Sequence, residues 1–393
     1  MNAVRQGSTR RVSFYDHALE YYELKAPIDE AISAVLASGM YMGGQQTAAF
    51  EDEFAAWLGA RHCVATGTCR DALERALRAL GVGPGDEVIS VSNTCIGGTV
   101  PITRLGGSIR WVDIDERSYN IDPQRLAESI GQRTKAIVVT HMYGHAADMD
   151  PILRVAGKQG LRVVEDAALA AGATYRGRKV GTLGDIGCFS HAPSKMLGTA
   201  GSGGTAVTDD DSLAARMRAQ STNDSRSPLF YASQSGQQIL SGHRYEHEGD
   251  HSRISEISAA TLRVKLPFLD KWIEARRDVA NAYSRGLQDL GLGLPSEADY
   301  ARHVYKSYTI RTPMRDELRA ALAESGVETA VQYYPPLHKQ PVYERYRGTA
   351  GCLNTTETVG PEIMNLPIYP QMTGSTIEYV CDATREYLRG CRR

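Results

Sequence analysis

A charge of one sign is what this 393-residue chain lacks: 44 lysines and arginines stand against 46 acidic residues. Such a balance gives no general pull toward nucleic acid or an anionic membrane, and neither is expected as a partner. Long apolar runs are missing as well, none reaching the roughly 18 residues that a membrane-crossing helix needs. The start, MNAVRQGSTRRVSFYDHALEYYELK, carries basic residues but no apolar core of signal-peptide length, so a soluble cytoplasmic protein is expected. Cysteine is scarce, with seven residues at 63, 69, 95, 188, 352, 381 and 391. Their odd number and the lack of CxxC or Cys/His spacings argue against a disulfide framework or a metal centre and point to free thiols in a reducing compartment. Internal repeats and low-complexity segments are absent too.

What is present is alternation. From about residue 45 to residue 210, strand-like runs (RHCVAT, DEVISVS, SIRWVDI, TKAIVVTHMYG, LRVVEDAA, DIGCFSH and GGTAVTD) alternate with amphipathic stretches such as RDALERALRAL and DPILRVAGKQG. This is the pattern of βαβ units on a mainly parallel sheet. Around 220 to 250 the chain turns polar and serine-rich, and a loop of that length inside a compact chain is expected to be functional. ISEISAATLRVKLPFLDKWIEARRDVANAYSRGLQDL then reads as a helix, a Pro-marked bend and a long second helix. After about 300, HVYKSYTIRT and ETAVQYY read as strands, with MRDELRAALAESG and STIEYVCDATREYLRGC as helices. An α/β protein is expected, with a large domain (1–265) followed by a smaller α+β domain (266–393).

Two residues stand out for chemistry. Asp166 ends the β-branched run LRVVED, at the carboxyl end of an expected parallel strand, where open α/β sheets bind ligands; the bland alternative is a capping aspartate. Lys195 lies among small residues in CFSHAPSKMLGTAGSGG, and its bland alternative is a solvated surface lysine. A lysine that forms an imine and an aspartate that pairs with a protonated pyridine nitrogen are the two groups pyridoxal 5'-phosphate most needs. A phosphate needs a nest of donors at a helix start. ATGTCRDALERAL supplies a strand, a turn through Cys69 and Arg70, and a helix. The Ser190 hydroxyl is a second donor.

VVEDAALAAGATYRGRKVGTLGDIGCFSHAPSKMLGTAGSGGTAVTDD, together with SGMYMGGQQTAAFEDEFAAWLGARHCVAT, HSRISEISAATLRVKLPFLDKW and GVETAVQYYPPLHKQPVY, resembles the DegT/DnrJ/EryC1/StrS family over nearly the whole chain. These are pyridoxal-phosphate aminotransferases of fold type I, which mostly aminate keto-sugars of nucleotide sugars. The resemblance implies Lys195 as the Schiff-base lysine and Asp166 as the pyridinium partner. Ser190, Cys69 and Arg70 would hold the phosphate. It also implies a homodimer with shared active sites, in which His251 of HSR falls in the segment lent to the neighbour.

Five positions depart from the family pattern. Cys69 and Arg70 replace the usual Gly-Thr before the helix, and Leu169 stands where Gln or His is frequent. Cys95 takes the place of a ring-stacking aromatic, His251 replaces an Asn, and Ser202 an acidic residue. Lys195 is kept, which favours transamination over the dehydratase branch, where that lysine is a histidine. The expected reaction moves an amino group from glutamate or glutamine to a keto-sugar. A keto-cyclitol or aminoglycoside intermediate is the alternative acceptor; a sugar dehydratase or aminohydroxybenzoate synthase is the alternative activity, and a non-catalytic regulatory protein the alternative class. Tyr333, His338 and Lys339 are candidate substrate contacts.

Overall fold

The computed structural model describes residues 10–221, 249–349 and 351–391. The polar run between 220 and 250 therefore lies largely outside the described residues. Seven strands make the central sheet: β1 (His62–Thr66), β2 (Glu87–Val91), β3 (Ser108–Val112), β4 (Thr134–Thr140), β5 (Arg162–Asp166) and, after the short β6 (Thr174–Tyr175) and β7 (Arg178–Lys179), β8 (Ile186–Ser190) and β9 (Gly204–Thr208). Their order is β1-β9-β8-β5-β4-β2-β3. Only β9 runs antiparallel to its neighbours β1 and β8; the other pairs are parallel. All seven fall inside the expected runs.

Helices cover both faces, so the middle strands carry apolar residues on both sides. Val64, Val88, Val138, Val164 and Cys188 pack toward the helix Cys69–Ala79. Ile89, Ile137, Val139, Val163 and Phe189 pack on the opposite face with Phe50 and Phe54 of the helix Gln45–Leu58. Because side chains alternate along a strand, this pattern also decides where the polar strand ends point. Asp166 and Ser190 follow Val164 and Cys188 toward the Cys69 side, and Glu165 follows Val163 to the other.

A further apolar cluster joins the helices Leu269–Leu287, Arg315–Glu324 and Gly374–Gly390 to a small antiparallel sheet. After β10 (Ala301–Arg302), which pairs with β6, that sheet consists of β11 (Tyr308–Arg311) and β12 (Ile363–Leu366). Val12 packs in the same cluster. The expected helix, bend and second helix appear as Glu256–Lys265, a 3-10 turn at Leu266–Phe268 and Leu269–Leu287.

ETAVQYY is not a strand. Ala330 makes an isolated bridge to Asn365 and Val327 one to Val12, and the Asn365 side chain takes the next N–H, from Gln332, at 3.0 Å. The partner of β11 is instead the short IMNL segment, whose following proline hid it from pattern reading.

The sheet tolerates no side chain at Gly187 of β8, where a Cβ would lie 2.1 Å from the Gly181 carbonyl oxygen. We expect Gly187→Ala to lower stability by about 2 kcal/mol or more, the scale of an overpacked core, read as a lower urea midpoint with unchanged slope.

Candidate functional site

The carboxyl end of β5 presents two adjacent carboxylates in opposite situations. Glu165, fully buried, accepts N–H donors from Gly181, Leu183 and Gly184, each at 2.7 Å. It also accepts the Nε2–H of buried His141 at 2.8 Å. That tautomer follows from the Ala147 N–H, which donates to His141 Nδ1 at 3.0 Å. Burial opposes ionisation of Glu165, but His141 and the Gly184 and Gly181 N–H groups outweigh it, so its carboxyl lies below the ordinary range.

Asp166 is almost as buried and far less satisfied. The Ala168 N–H donates to Oδ1 at 3.1 Å, whereas Oδ2 has no hydrogen-bond partner among the described residues. Burial pushes this carboxyl up, against the pull of the Ala168 N–H, the Lys195 ammonium and His141. Oδ2 faces Gly98, where a Cβ would come within 2.9 Å of it.

Lys195 lies in the loop after β8, half-buried, with its backbone N–H bonded to Ala192 O at 2.9 Å. Its amine makes no hydrogen bond or ion pair among the described residues. The loop is fastened by His191, which the sequence reading passed over. Its Nδ1–H donates to Leu197 O at 3.0 Å and its Nε2 accepts the Thr205 hydroxyl at 3.1 Å, while its ring packs edge-on against Phe50 and Phe54.

The other wall is the turn leading into Cys69–Ala79. Thr68 caps the helix by accepting the Asp71 N–H at 3.2 Å. The Cys69 and Arg70 N–H groups begin the first turn, where helical N–H groups have no intrahelical partner. β9 runs so close beneath that a Cβ on Gly204 would lie 2.4 Å from Cys69 N. The Cys69 thiol is pushed well up by burial and then by the Asp166 charge, which places it beside that carboxylate. Ser190 ends β8 on the same face. Arg70 is exposed and paired with Asp71 at 3.3 Å.

The segment holding His251 is fastened to this same turn. Ser252 Oγ accepts the Gly67 N–H at 2.9 Å and donates to Asp71 Oδ2 at 2.5 Å. Its carbonyl accepts from Arg75 at 2.7 Å. His251 itself is exposed, as are Cys95 and Ser202, whereas Leu169 is buried.

Of the candidate substrate contacts, Tyr333 is half-buried and close enough to Cys95, Tyr15 and Asp166 to feel their charges; burial chiefly drives its hydroxyl up. His338 and Lys339 are engaged elsewhere. The Ser92 hydroxyl meets His338 Nδ1 at 2.7 Å, His338 Nε2 donates to Glu357 at 3.0 Å, and Lys339 pairs with the other Glu357 oxygen at 2.7 Å.

The set is thus an unpaired amine, a buried carboxylate with one open oxygen, and a helix start lined by hydroxyl and N–H donors. It suits a group with an aldehyde, a protonatable ring nitrogen and a phosphate. The chain matches the DegT/DnrJ/EryC1/StrS aminotransferase family over residues 23–385. It belongs to that family. It is therefore a pyridoxal-phosphate-dependent aminotransferase of fold type I.

Among curated relatives, it is 39% identical to the dTDP-3-amino-3,4,6-trideoxy-alpha-D-glucose transaminase of Streptomyces venezuelae over 97% of both chains. It is 38% identical to a pleiotropic regulatory protein of Geobacillus stearothermophilus, over 96% of this chain and 99% of that one. The crystal structure of S. venezuelae DesV in complex with a ketimine intermediate superimposes with a TM-score of 0.89 at 40% identity, over 97% of this chain and 99% of that one. Among the described residues, no helix is long and apolar enough to cross a membrane.

Burial lowers the His191 pKa from 6.5 to about 4. The unfolded chain therefore binds this proton first as the pH falls, and the stability contributed by the neutral ring, complete above about 6.5, drains away between about 6.5 and about 4. We expect His191→Asn to flatten the decline of the urea midpoint over that window by up to about 3 kcal/mol. Parallel pH profiles of the two proteins measure it.

Proposed function

We propose that this aminotransferase moves an amino group from glutamate or glutamine to a nucleotide-linked keto-sugar, with Lys195 and Asp166 as its reacting side chains. The observation that carries the reading is the open Oδ2 of buried Asp166 beside the unpaired Lys195 amine. The bound cofactor supplies an electron sink. Lys195 would hold it through its amine and, once released, would accept and return a proton at its Nζ. Asp166 would keep a proton on the ring nitrogen, a task suited to a carboxylate whose one side-chain hydrogen bond among the described residues is from the Ala168 N–H.

Ser190 and the first-turn N–H groups of Cys69 and Arg70 receive the phosphate, with the exposed Arg70 guanidinium free to swing from Asp71. Cys95 and Leu169 pack against the ring, and Tyr333 closes the substrate side. His338 and Lys339 then support that wall through Glu357 and leave the sugar to other side chains. The working unit is a cytoplasmic homodimer to which His251 contributes across the interface, with residues 1–265 carrying the cofactor and 266–393 forming the smaller domain. The S. venezuelae relative, by its name, handles a dTDP-linked sugar, which supports a nucleotide-linked acceptor.

In the loaded enzyme, an absorbance band near about 400 nm should fade with L-glutamate or L-glutamine and return with a nucleotide-linked keto-sugar. Lys195→Ala should abolish the band and the turnover, and Asp166→Asn should keep binding but lose about a hundredfold or more in kcat. Return of the band with scyllo-inosose but with no sugar nucleotide would contradict the substrate class.

A further inference from the structure

Two buried hydroxyls beside Asp166 have no hydrogen-bond partner among the described residues. Thr140 ends β4 and is the Cα partner of Asp166 across the parallel pair. It alternates with Val138, so it lies on the same face of the sheet as Asp166, one strand spacing of about 5 Å away. Thr140 is 3% exposed, and its Oγ1 is left without a partner. Thr94, 2% exposed, lies in the loop after β2, and its hydroxyl is unpartnered as well. A Cβ placed on Gly98 would meet Asp166 Oδ2 at 2.9 Å and Thr94 Oγ1 at 3.6 Å, so those two oxygens border one small space. Buried hydroxyls without partners are destabilising. Here both of them flank a carboxylate that is itself short of donors.

The titratable groups facing Asp166 do not fill that need. Lys195 and His141 lower its pKa, but Lys195 is committed to the cofactor in the loaded enzyme and His141 to Glu165. Cys69, Cys188 and Tyr333 also face Asp166, and burial pushes all three up, so they stay neutral near pH 7. Cys188 is the Cα partner of Asp166 on the β8 flank, and a thiol is a weak donor.

We propose that Thr94 and Thr140 are positioning residues for Asp166: their hydroxyls donate to its carboxylate and hold it as an anion aimed at the ring nitrogen. The proposal rests on the aminotransferase reading for the group that Asp166 meets. A staggered step about χ1 exchanges the hydroxyl and methyl of a threonine, so each reaches the carboxylate without backbone movement. Thr140 serves it from the β4 flank and Thr94 from the side of Gly98, whose missing side chain keeps the space between them clear.

The test loads the protein with 4-deoxypyridoxine 5'-phosphate, which lacks the aldehyde and binds without Lys195 chemistry. The comparison ligand is its 1-deaza counterpart, with C–H in place of the ring nitrogen. Wild type should bind the first at least about tenfold more tightly at neutral pH. Thr94→Val and Thr140→Val should each cut that ratio about fivefold, and Thr94→Ser and Thr140→Ser should keep it. A hydroxyl bonded to the carboxylate favours its ionised form, so losing one raises the Asp166 pKa. On acidification the ratio of the valine variants should therefore collapse at a pH higher than in wild type by about half a unit or more. Threonines with a merely structural role would move neither the ratio nor its acid limb.

A wild-type ratio near one overturns the proposal whether or not the valine variants fold. So do an unchanged ratio and an unchanged acid limb in both valine variants. Asp166→Asn separates this failure from that of the underlying reading. If it abolishes the ratio while both valine variants keep it, the reading stands and the threonine assignment alone is wrong. If it too leaves the ratio unchanged, Asp166 does not partner the ring nitrogen, and the proposal falls with that reading.

Discussion

The site depends on the last turn of pleat in β5. Successive side chains of a strand point to opposite faces, so Glu165 and Asp166, alike in chemistry and adjacent in sequence, face different surroundings. Glu165 meets four donors that saturate it, and in return it pins the loop 181–184 and the His141 ring. Removing one partner of such a buried set leaves an uncompensated charge, which costs several kcal/mol. That rigid underside lets Asp166 be held on the other face with an oxygen to spare. A buried carboxylate with an open oxygen is expensive in an empty fold and useful once a protonated nitrogen arrives.

The same division of labour holds along β8 and its loop. His191 points with Glu165's face and fastens the loop through Leu197 and Thr205, whereas Ser190 points with Asp166's face toward the turn that leads into Cys69–Ala79. The fixed frame lies on one side of the sheet and the adaptable chemistry on the other. Gly204 completes the frame by letting β9 pass directly beneath the start of Cys69–Ala79, which puts the helix N-terminus, the strand ends and the Lys195 loop within one small volume.

The sheet was legible because its strands are bounded by turn residues and separated by amphipathic helices, so all seven could be placed, as could Asp166 at the end of β5. Lys195 drew notice by its setting of small residues, which alone suited a surface lysine equally well; its candidate role came from the family resemblance. The pins were not. His141 in THMYG and His191 in FSHAPS have no periodic signal, since their role arises only when distant N–H groups, hydroxyls and Glu165 converge on them. β12 escaped because four residues before a proline carry too little pattern, and ETAVQYY misled because Asn365 takes its hydrogen bonds singly where a continuous ladder was expected. His338 and Lys339 looked like free polar side chains next to a Tyr-Pro segment; their partner, Glu357, is fixed by tertiary packing alone.

The central claim is that one particular amine, and no other, carries the cofactor. Borohydride reduction of the loaded enzyme followed by peptide mapping tests it most directly, because reduction makes the linkage permanent wherever it forms. The phosphopyridoxyl group should be found on Lys195, within CFSHAPSKMLG. A label on the neighbouring Lys306 or on any other lysine, or no label in a protein that retains the cofactor, would contradict the account.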